Sequence, residues 1–376
     1  MTTPYRADQV GSLLRPVQLR EAHEKSLRGE YDAAKLRALQ DSCIVEVIKM
    51  QESLGLHAIT DGELRRTSFS TDFIECLDGA SSPGSLPIEG ARGGMHHAGP
   101  VDKPFAPRAF QVSGKLRHSR PIEVENFKFV KAHTTRTPKQ AMPSPTMLLR
   151  GGRDAVDPVA YPDMEDFHAD VARVYQEELS QLGAAGCGYV QLDDTNFAYL
   201  CDPKFRETFR EWGYKPDEMP ARSAALINAA IAGRPAGMVA GIHICRGNSA
   251  GQWAAQGGYE PVAEVLFNSV NVDAYFLEFD DARSGGFEPL RYFPKGSAKR
   301  VVLGLVSTKK AELESPDDLK RRIEEAAKYV PLENLCLSPQ CGFASTYLGN
   351  PITPEIQRRK IALVVEVATA VWGSAK

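Results

Sequence analysis

In the run Gly241-Ile-His-Ile-Cys-Arg-Gly-Asn248, a histidine and a cysteine stand two positions apart. On an extended strand that spacing sends both side chains off one face. Imidazole and thiolate together suit zinc better than calcium or magnesium, which prefer oxygen ligands. Alone, the pair is weak evidence, because cysteine is commonly buried and histidine also packs in cores. Two further runs change the weighting. Ser338-Pro-Gln-Cys-Gly-Phe343 puts Cys341 in a turn just past an apolar stretch, and Phe276-Leu-Glu-Phe-Asp-Asp281 ends another stretch with Glu278. Taken singly, Cys341 reads as a buried thiol in a tight turn and Glu278 as a salt-bridged carboxylate. Taken together, His243, Cys245, Glu278 and Cys341 form a candidate ligand set for one zinc ion.

The ligand types select the chemistry. Two thiolates and an imidazole load the metal with charge and make it a poorer Lewis acid for water than three neutral imidazoles. The same soft ligation leaves a bound substrate thiolate nucleophilic. A free thiol, with a pKa of about 8.5, is only a few per cent ionised at neutral pH, and a metal removes that limit. The expectation is transfer of an alkyl group to a thiol. Glu278 is expected to fill the fourth position at rest and to yield it to the incoming sulfur.

These residues converge only if the elements carrying them share one end of a sheet. Short apolar stretches with the character of buried strands occupy 8–12, 57–61, 141–144, 189–193, 239–245, 274–278, 301–305 and 335–338. Amphipathic helical spacing falls between them, at 37–54, 164–182 and 316–329. Strand alternating with helix predicts an α/β fold of the (β/α)8 TIM-barrel type, whose active sites lie at the C-terminal ends of the strands. A doubly wound open sheet is the second choice. Residues 79–137, rich in Gly, Pro and His, break the rhythm. They read as an insertion after the second strand, with alternating stretches at 110–112 and 127–131 that would pair as a hairpin. That insertion is a candidate element for contact with a second copy of the chain.

The 376 residues are 43% apolar and 25% charged, with a net charge of −3, which suits a globular enzyme and offers nothing to nucleic acid or an anionic membrane. No apolar run is long enough to span a bilayer, and the N-terminal stretch is polar. A cytoplasmic location is expected. In that reducing setting the seven cysteines are not a disulfide framework. Burial is the default for Cys43, Cys76, Cys187, Cys201 and Cys336.

The order of these motifs resembles a known family, the cobalamin-independent methionine synthases, and specifically a stand-alone short form of their catalytic C-terminal half. Val10-Gly-Ser12 resembles an Ile-Gly-Ser opening, Asp61-Gly-Glu63 a Gly-Glu element, and Val190-Gln-Leu-Asp193 an Ile-Gln-Ile-Asp element. The resemblance implies that Ser12 helps bind the homocysteine carboxylate and that Glu63 and Asp193 meet its ammonium. It also implies zinc ligation by His243, Cys245, Glu278 and Cys341. An amino-acid thiol does need anionic groups for its ammonium and donors for its carboxylate. Singly, Glu63 and Asp193 serve equally well as partners of Arg65 or Arg66, and Asp194 reads as structural.

One departure stands out. Where the family has Asp-x-His, whose histidine assists methyl transfer, this chain reads Leu305-Val-Ser-Thr-Lys-Lys310. Lys309 then becomes the candidate catalytic cation, stabilising an anionic leaving group, with a solvated lysine pair as the alternative. The resemblance implies small-molecule partners, a thiol and an alkyl donor such as a folate or a corrinoid. A related possibility is an epoxyalkane:coenzyme M-type transferase, in which Arg65, Arg66 or Lys309 would meet a sulfonate. A uroporphyrinogen decarboxylase-like enzyme needs no metal, and a zinc-stabilised binding barrel would use closed Cys and His knuckles. Phe197, Trp253 and Phe343 either stack on a donor ring near the mouth or pack into the core.

Overall fold

The computed structural model describes residues 4–85 and 108–376. Its strands are β1 (Ala58–Ile59), β2 (Asp78–Ser85), β3 (Arg108–Arg117), β4 (Thr137–Pro138), β5 (Gln140–Pro143), β6 (Tyr189–Asp194), β7 (Val239–Ile244), β8 (Ala274–Glu278), β9 (Arg300–Val306) and β10 (Leu335–Pro339). Strands β5 to β10 form a single six-stranded sheet in sequential order, every neighbouring pair parallel. That order has no reversal point, unlike a doubly wound sheet.

Parallel strands need long crossovers, and helices supply them. Helices at Met164–Ala184, Met219–Ile231, Glu260–Ser269 and Pro316–Ala326 lie between successive strands of the sheet. Two of these starts are fixed by side-chain caps: Asp163 accepts from the Glu165 N–H at 2.9 Å, and Ser315 from the Asp318 N–H at 3.4 Å. With helices on one face and packed side chains on the other, every residue of β6 and β8 is buried. Polar groups on the inner face satisfy one another. Lys139 Nζ donates to Asp8 at 2.9 Å, and the Tyr189 hydroxyl donates to the second Asp8 oxygen at 2.9 Å.

The flanks of the sheet differ from the sequence expectation. The stretch at 8–12 forms no strand; a single parallel bridge joins Ala7 to Leu337 of β10. Gly11 has φ of 142°, outside the strand region, and Asp8 and Gln9 turn to side-chain hydrogen bonds instead. The stretch at 57–61 shrinks to the two residues of β1, which pair in parallel with β4 just ahead of β5. Leu13 N–H donates to Gly62 carbonyl at 2.9 Å and ties the first segment to the one after β1.

An antiparallel hairpin does lie in the 79–137 stretch, but β2 pairs with β3. The expected second arm at 127–131 belongs to a helix, Val124–His133. The pattern Phe-Lys-Phe-Val-Lys alternates, yet Val124, Phe127 and Val130 recur every three residues and are the buried ones. Glu178, fully buried on the 164–184 helix, anchors this segment by accepting from Ile122 N–H, Glu123 N–H and His118 Nε2. The part of the insertion between 86 and 107 lies outside the described residues.

All seven cysteines are free thiols, and of the five expected in the core only Cys76 is partly exposed. Phe197 and Phe343 are core residues. No helix among the described residues is long and apolar enough to cross a membrane.

Candidate metal centre

Three strand ends deliver the four candidate ligands. His243 is the penultimate residue of β7, and Cys245 follows that strand. Glu278 is the last residue of β8, and Cys341 stands two residues past β10. One donor atom from each of the four lies within 4.8 Å of all the others, and all four residues are buried. The two sulfurs are 3.5 Å apart.

Local bonds hold this arrangement. Cys245 N–H donates to Asp194 carbonyl at 2.6 Å, carrying the β6–β7 pairing one residue beyond β7. The Cys341 turn is fastened from two sides. Gln340 Oε1 accepts from Thr308 N–H and Thr308 hydroxyl at 2.7 and 2.8 Å, and Asn248 Nδ2 donates to Gly342 carbonyl at 3.0 Å. Glycine at 342 leaves room for Ser12, since a Cβ there would stand 1.9 Å from Ser12 Oγ and 3.0 Å from Ser12 Cβ. That close approach brings Ser12 to the side of the metal-site turn.

The donor chemistry fits a soft divalent ion. Neither ring nitrogen of His243 has a hydrogen-bond partner although the residue is buried. A buried imidazole left so beside two thiols and a carboxylate matches a nitrogen, two-sulfur and oxygen set for zinc. Without the ion the cysteines polarise each other. The Cys341 thiol is pulled well below its ordinary value, first by the hydrogen bond from Cys245 and then by His243 and Lys309, while Cys245 is pushed up.

A cavity of about 560 Å³ opens from these ligands. His243, Cys245 and Cys341 line it together with Ser12, Glu63 and Asp193, so the three residues expected to meet an amino-acid thiol share the chamber with the metal ligands. Glu63 adopts φ of 57°, a left-handed conformation unusual for a non-glycine residue, held by Asp61 accepting from its N–H at 2.8 Å. Burial pushes Glu63 up to about 8, with Asp193 and Asp61 adding to the shift and Arg66 opposing it. Burial also raises Asp193 to about 6, against the pull of His243 and a hydrogen bond from Gln191 at 2.7 Å. Asp194 is structural: it accepts from Phe197 N–H at 2.9 Å and from Thr146.

The basic residues divide. Arg65 is spent on Asp41 at 2.5 Å and Asn126 at 3.0 Å. Arg66 bridges Glu63 at 3.5 Å and Glu123 at 3.1 Å. Lys309 is buried, its Nζ has no hydrogen-bond partner, and its charge acts on both sulfurs; Lys310 is exposed. Three groups near the site were not apparent from sequence. Arg283 pairs with Glu278 at 3.3 Å and lies on the Trp253 ring. Arg246 is fully buried on the Tyr259 ring, and its N–H donates to Glu278 at 2.9 Å. Arg150 lines the cavity with Tyr199. Only the position of Arg246 beside Cys245 hinted at any of them.

Comparison with known proteins agrees with this geometry. The family model described as cobalamin-independent synthase, catalytic domain, matches residues 6–369. An uncharacterised Bacillus subtilis protein, YxjH, is 43% identical over 370 residues, covering 98% of this chain and 95% of its own length. A methionine synthase of Pyrococcus abyssi is 25% identical over 334 residues, covering 89% of this chain and 84% of its own. A solved Listeria monocytogenes structure, provisionally assigned as a vitamin-B12-independent methionine synthase, superposes with a TM-score of 0.78 at 35% identity over all of both chains. The chain belongs to the cobalamin-independent synthase family as a form of its catalytic domain.

Proposed function

We propose that the protein is a zinc-dependent methyltransferase that methylates a thiol such as homocysteine. The observation that carries this reading is the convergence of His243, Cys245, Glu278 and Cys341 within 4.8 Å, three of them, His243, Cys245 and Cys341, lining a cavity. A zinc ion held there supplies one thing, a thiol ionised at neutral pH and still nucleophilic.

The chain's own residues do the rest. Asp193 and Glu63 receive the ammonium of the amino-acid thiol, and Ser12 stands beside them for its carboxylate. Lys309 contributes a fixed positive charge near the sulfurs, suited to stabilising a leaving group that departs as an anion. The substrates are a small-molecule thiol and a methyl donor, handled in the cytoplasm without nucleic acid or membrane.

We read the architecture as one (β/α)8 barrel spanning 1–376 with an insertion at about 79–137. The sequential six-stranded sheet supports this, as do the Ala7–Leu337 bridge on one edge and the β1–β4 pair on the other. The test is direct: measure bound zinc in the purified protein, then add homocysteine and follow the metal's coordination by X-ray absorption. A new sulfur neighbour, followed by methylated thiol when a methyl donor is supplied, is the expected result. Zinc that ignores every thiol offered would refute it.

A further inference from the structure

The carboxylate of Glu278 is shared between two neighbourhoods. One oxygen belongs to the four-donor cluster, while Oε2 lies 3.3 Å from Arg283 Nη2 and Oε1 accepts from Arg246 N–H at 2.9 Å. Its backbone is clamped. Glu278 N–H donates to the Tyr259 hydroxyl oxygen at 2.9 Å, and Arg246 packs over that same ring. Movement at Glu278 is therefore confined to the side chain.

Arg283 is built to receive a carboxylate without depending on it. Its guanidinium already meets Asp280 at 2.9 Å and Asp281 at 3.3 Å. It rests on the Trp253 ring at 4.6 Å, and its carbonyl accepts from Gly257 N–H at 2.7 Å. Gaining or losing a third anion leaves it paired. A buried carboxylate that quits a metal with no cation waiting is strongly disfavoured. Arg283 already pairs with Glu278 at 3.3 Å, so the same departure leaves the carboxylate with a cationic partner.

Resting on the thiol-activating reading above, we infer that Arg283 is the positioning residue that receives Glu278 when a substrate sulfur takes its place among the metal's ligands. The thiol proton leaves to solvent, one metal–oxygen contact is given up, and one metal–sulfur contact is gained. Arg283 thereby makes Glu278, rather than either cysteine or the histidine, the exchangeable ligand.

The experiment uses cobalt(II)-loaded protein, whose visible absorption reports sulfur ligation, with homocysteine as the thiol and a competing chelator to measure metal affinity. In Arg283→Met, Glu278 loses its cationic partner and keeps only the neutral Arg246 N–H. Homocysteine affinity should fall roughly ten- to a hundredfold while metal affinity without thiol is unchanged or higher. Arg283→Lys should recover part of the loss. Asp281→Asn, at a side chain 41% exposed, frees the guanidinium for Glu278 and should shift both quantities the opposite way, weaker metal and tighter thiol.

Equal thiol affinity in Arg283→Met and wild type, or loss of metal together with thiol, overturns the inference. If Arg283→Met does not fold, Asp281→Asn decides: thiol binding no tighter than wild type overturns it. A wild-type cobalt spectrum that homocysteine leaves unchanged sinks the thiol-activating reading itself, which separates the two failures.

Discussion

Asp193→Asn isolates the charge that would recognise an amino-acid thiol. The substitution keeps the shape and the Gln191 contact, and removes one buried anion from the cavity wall. A hydrogen bond to a charged group contributes about 1.5–3 kcal/mol, so homocysteine should bind roughly ten- to 150-fold more weakly. A thiol of the same length without the amino group, 4-mercaptobutanoate, should bind the variant within about threefold of wild type. The pH dependence gives a second handle. With Asp193 at about 6 and Glu63 at about 8 in the empty site, Asp193 is the anion present at neutral pH. An ammonium ligand prefers the ionised carboxylate, so wild-type affinity should fall as pH drops through about 6. In the variant only Glu63 remains, and with the repulsion from Asp193 gone it ionises below about 8, so affinity should recover as pH rises towards that lowered value. Isothermal titration of both thiols across pH 5–9 is the assay. Equal losses for the two thiols, or a variant whose acid limb stays where it was, would refute the assignment of Asp193 to the ammonium.

Three further outcomes are expected. Cys341→Ser should lower zinc affinity by about a hundredfold or more, as removal of one of four ligands implies; chelator competition measures this, and an unchanged thermal melt distinguishes it from unfolding. Lys309→Met should slow single-turnover methyl transfer by roughly ten- to a hundredfold while thiol affinity holds, so a loss confined to thiol binding would remove Lys309 from the transfer step. His118→Gln tests the anchor of the insertion. The hydrogen bond to Glu178 raises the His118 imidazole above its ordinary value, so the pair stabilises the fold fully below that ordinary value and less as pH rises through the raised one. The variant should therefore lose more thermal stability at pH 6 than at pH 9, and equal losses at both would contradict the charged pair.

The metal cluster was legible because each ligand follows a strand signal that is strong in sequence. A parallel strand buried on both faces reads as an apolar run, and His243, Glu278 and Cys341 sit where such runs stop. The first segment was misread as a strand because Val10 and its neighbours look apolar, while the conformation of Gly11 and the bonds of Asp8 and Gln9 lie below the resolution of a hydropathy pattern. The 127–131 stretch carries two periodicities at once, and only packing of Val124, Phe127 and Val130 decides between them. Arg283 and Arg246 escaped notice for a different cause. Arg283 follows Glu278 by only five residues, but its seat on Trp253 and that of Arg246 on Tyr259 join separate segments that no short-range spacing encodes.

The arrangement of charge also bears on which thiol fits. A sulfonate-bearing thiol would need a cation at the inner wall. Arg65 is held by Asp41 and Asn126, and Arg66 by Glu63 and Glu123, so recruiting Arg66 would strand two buried carboxylates. Of the acids facing the chamber, Asp193 already raises the proton affinity of Glu63 by repulsion. An incoming ammonium relieves that repulsion, and an incoming sulfonate adds to it. The difference between the two ligands thus lies in the sign of the charge beside the sulfur: Glu63 and Asp193 favour the cation, and Arg150 is the cation on the same lining that a sulfonate would have to reach.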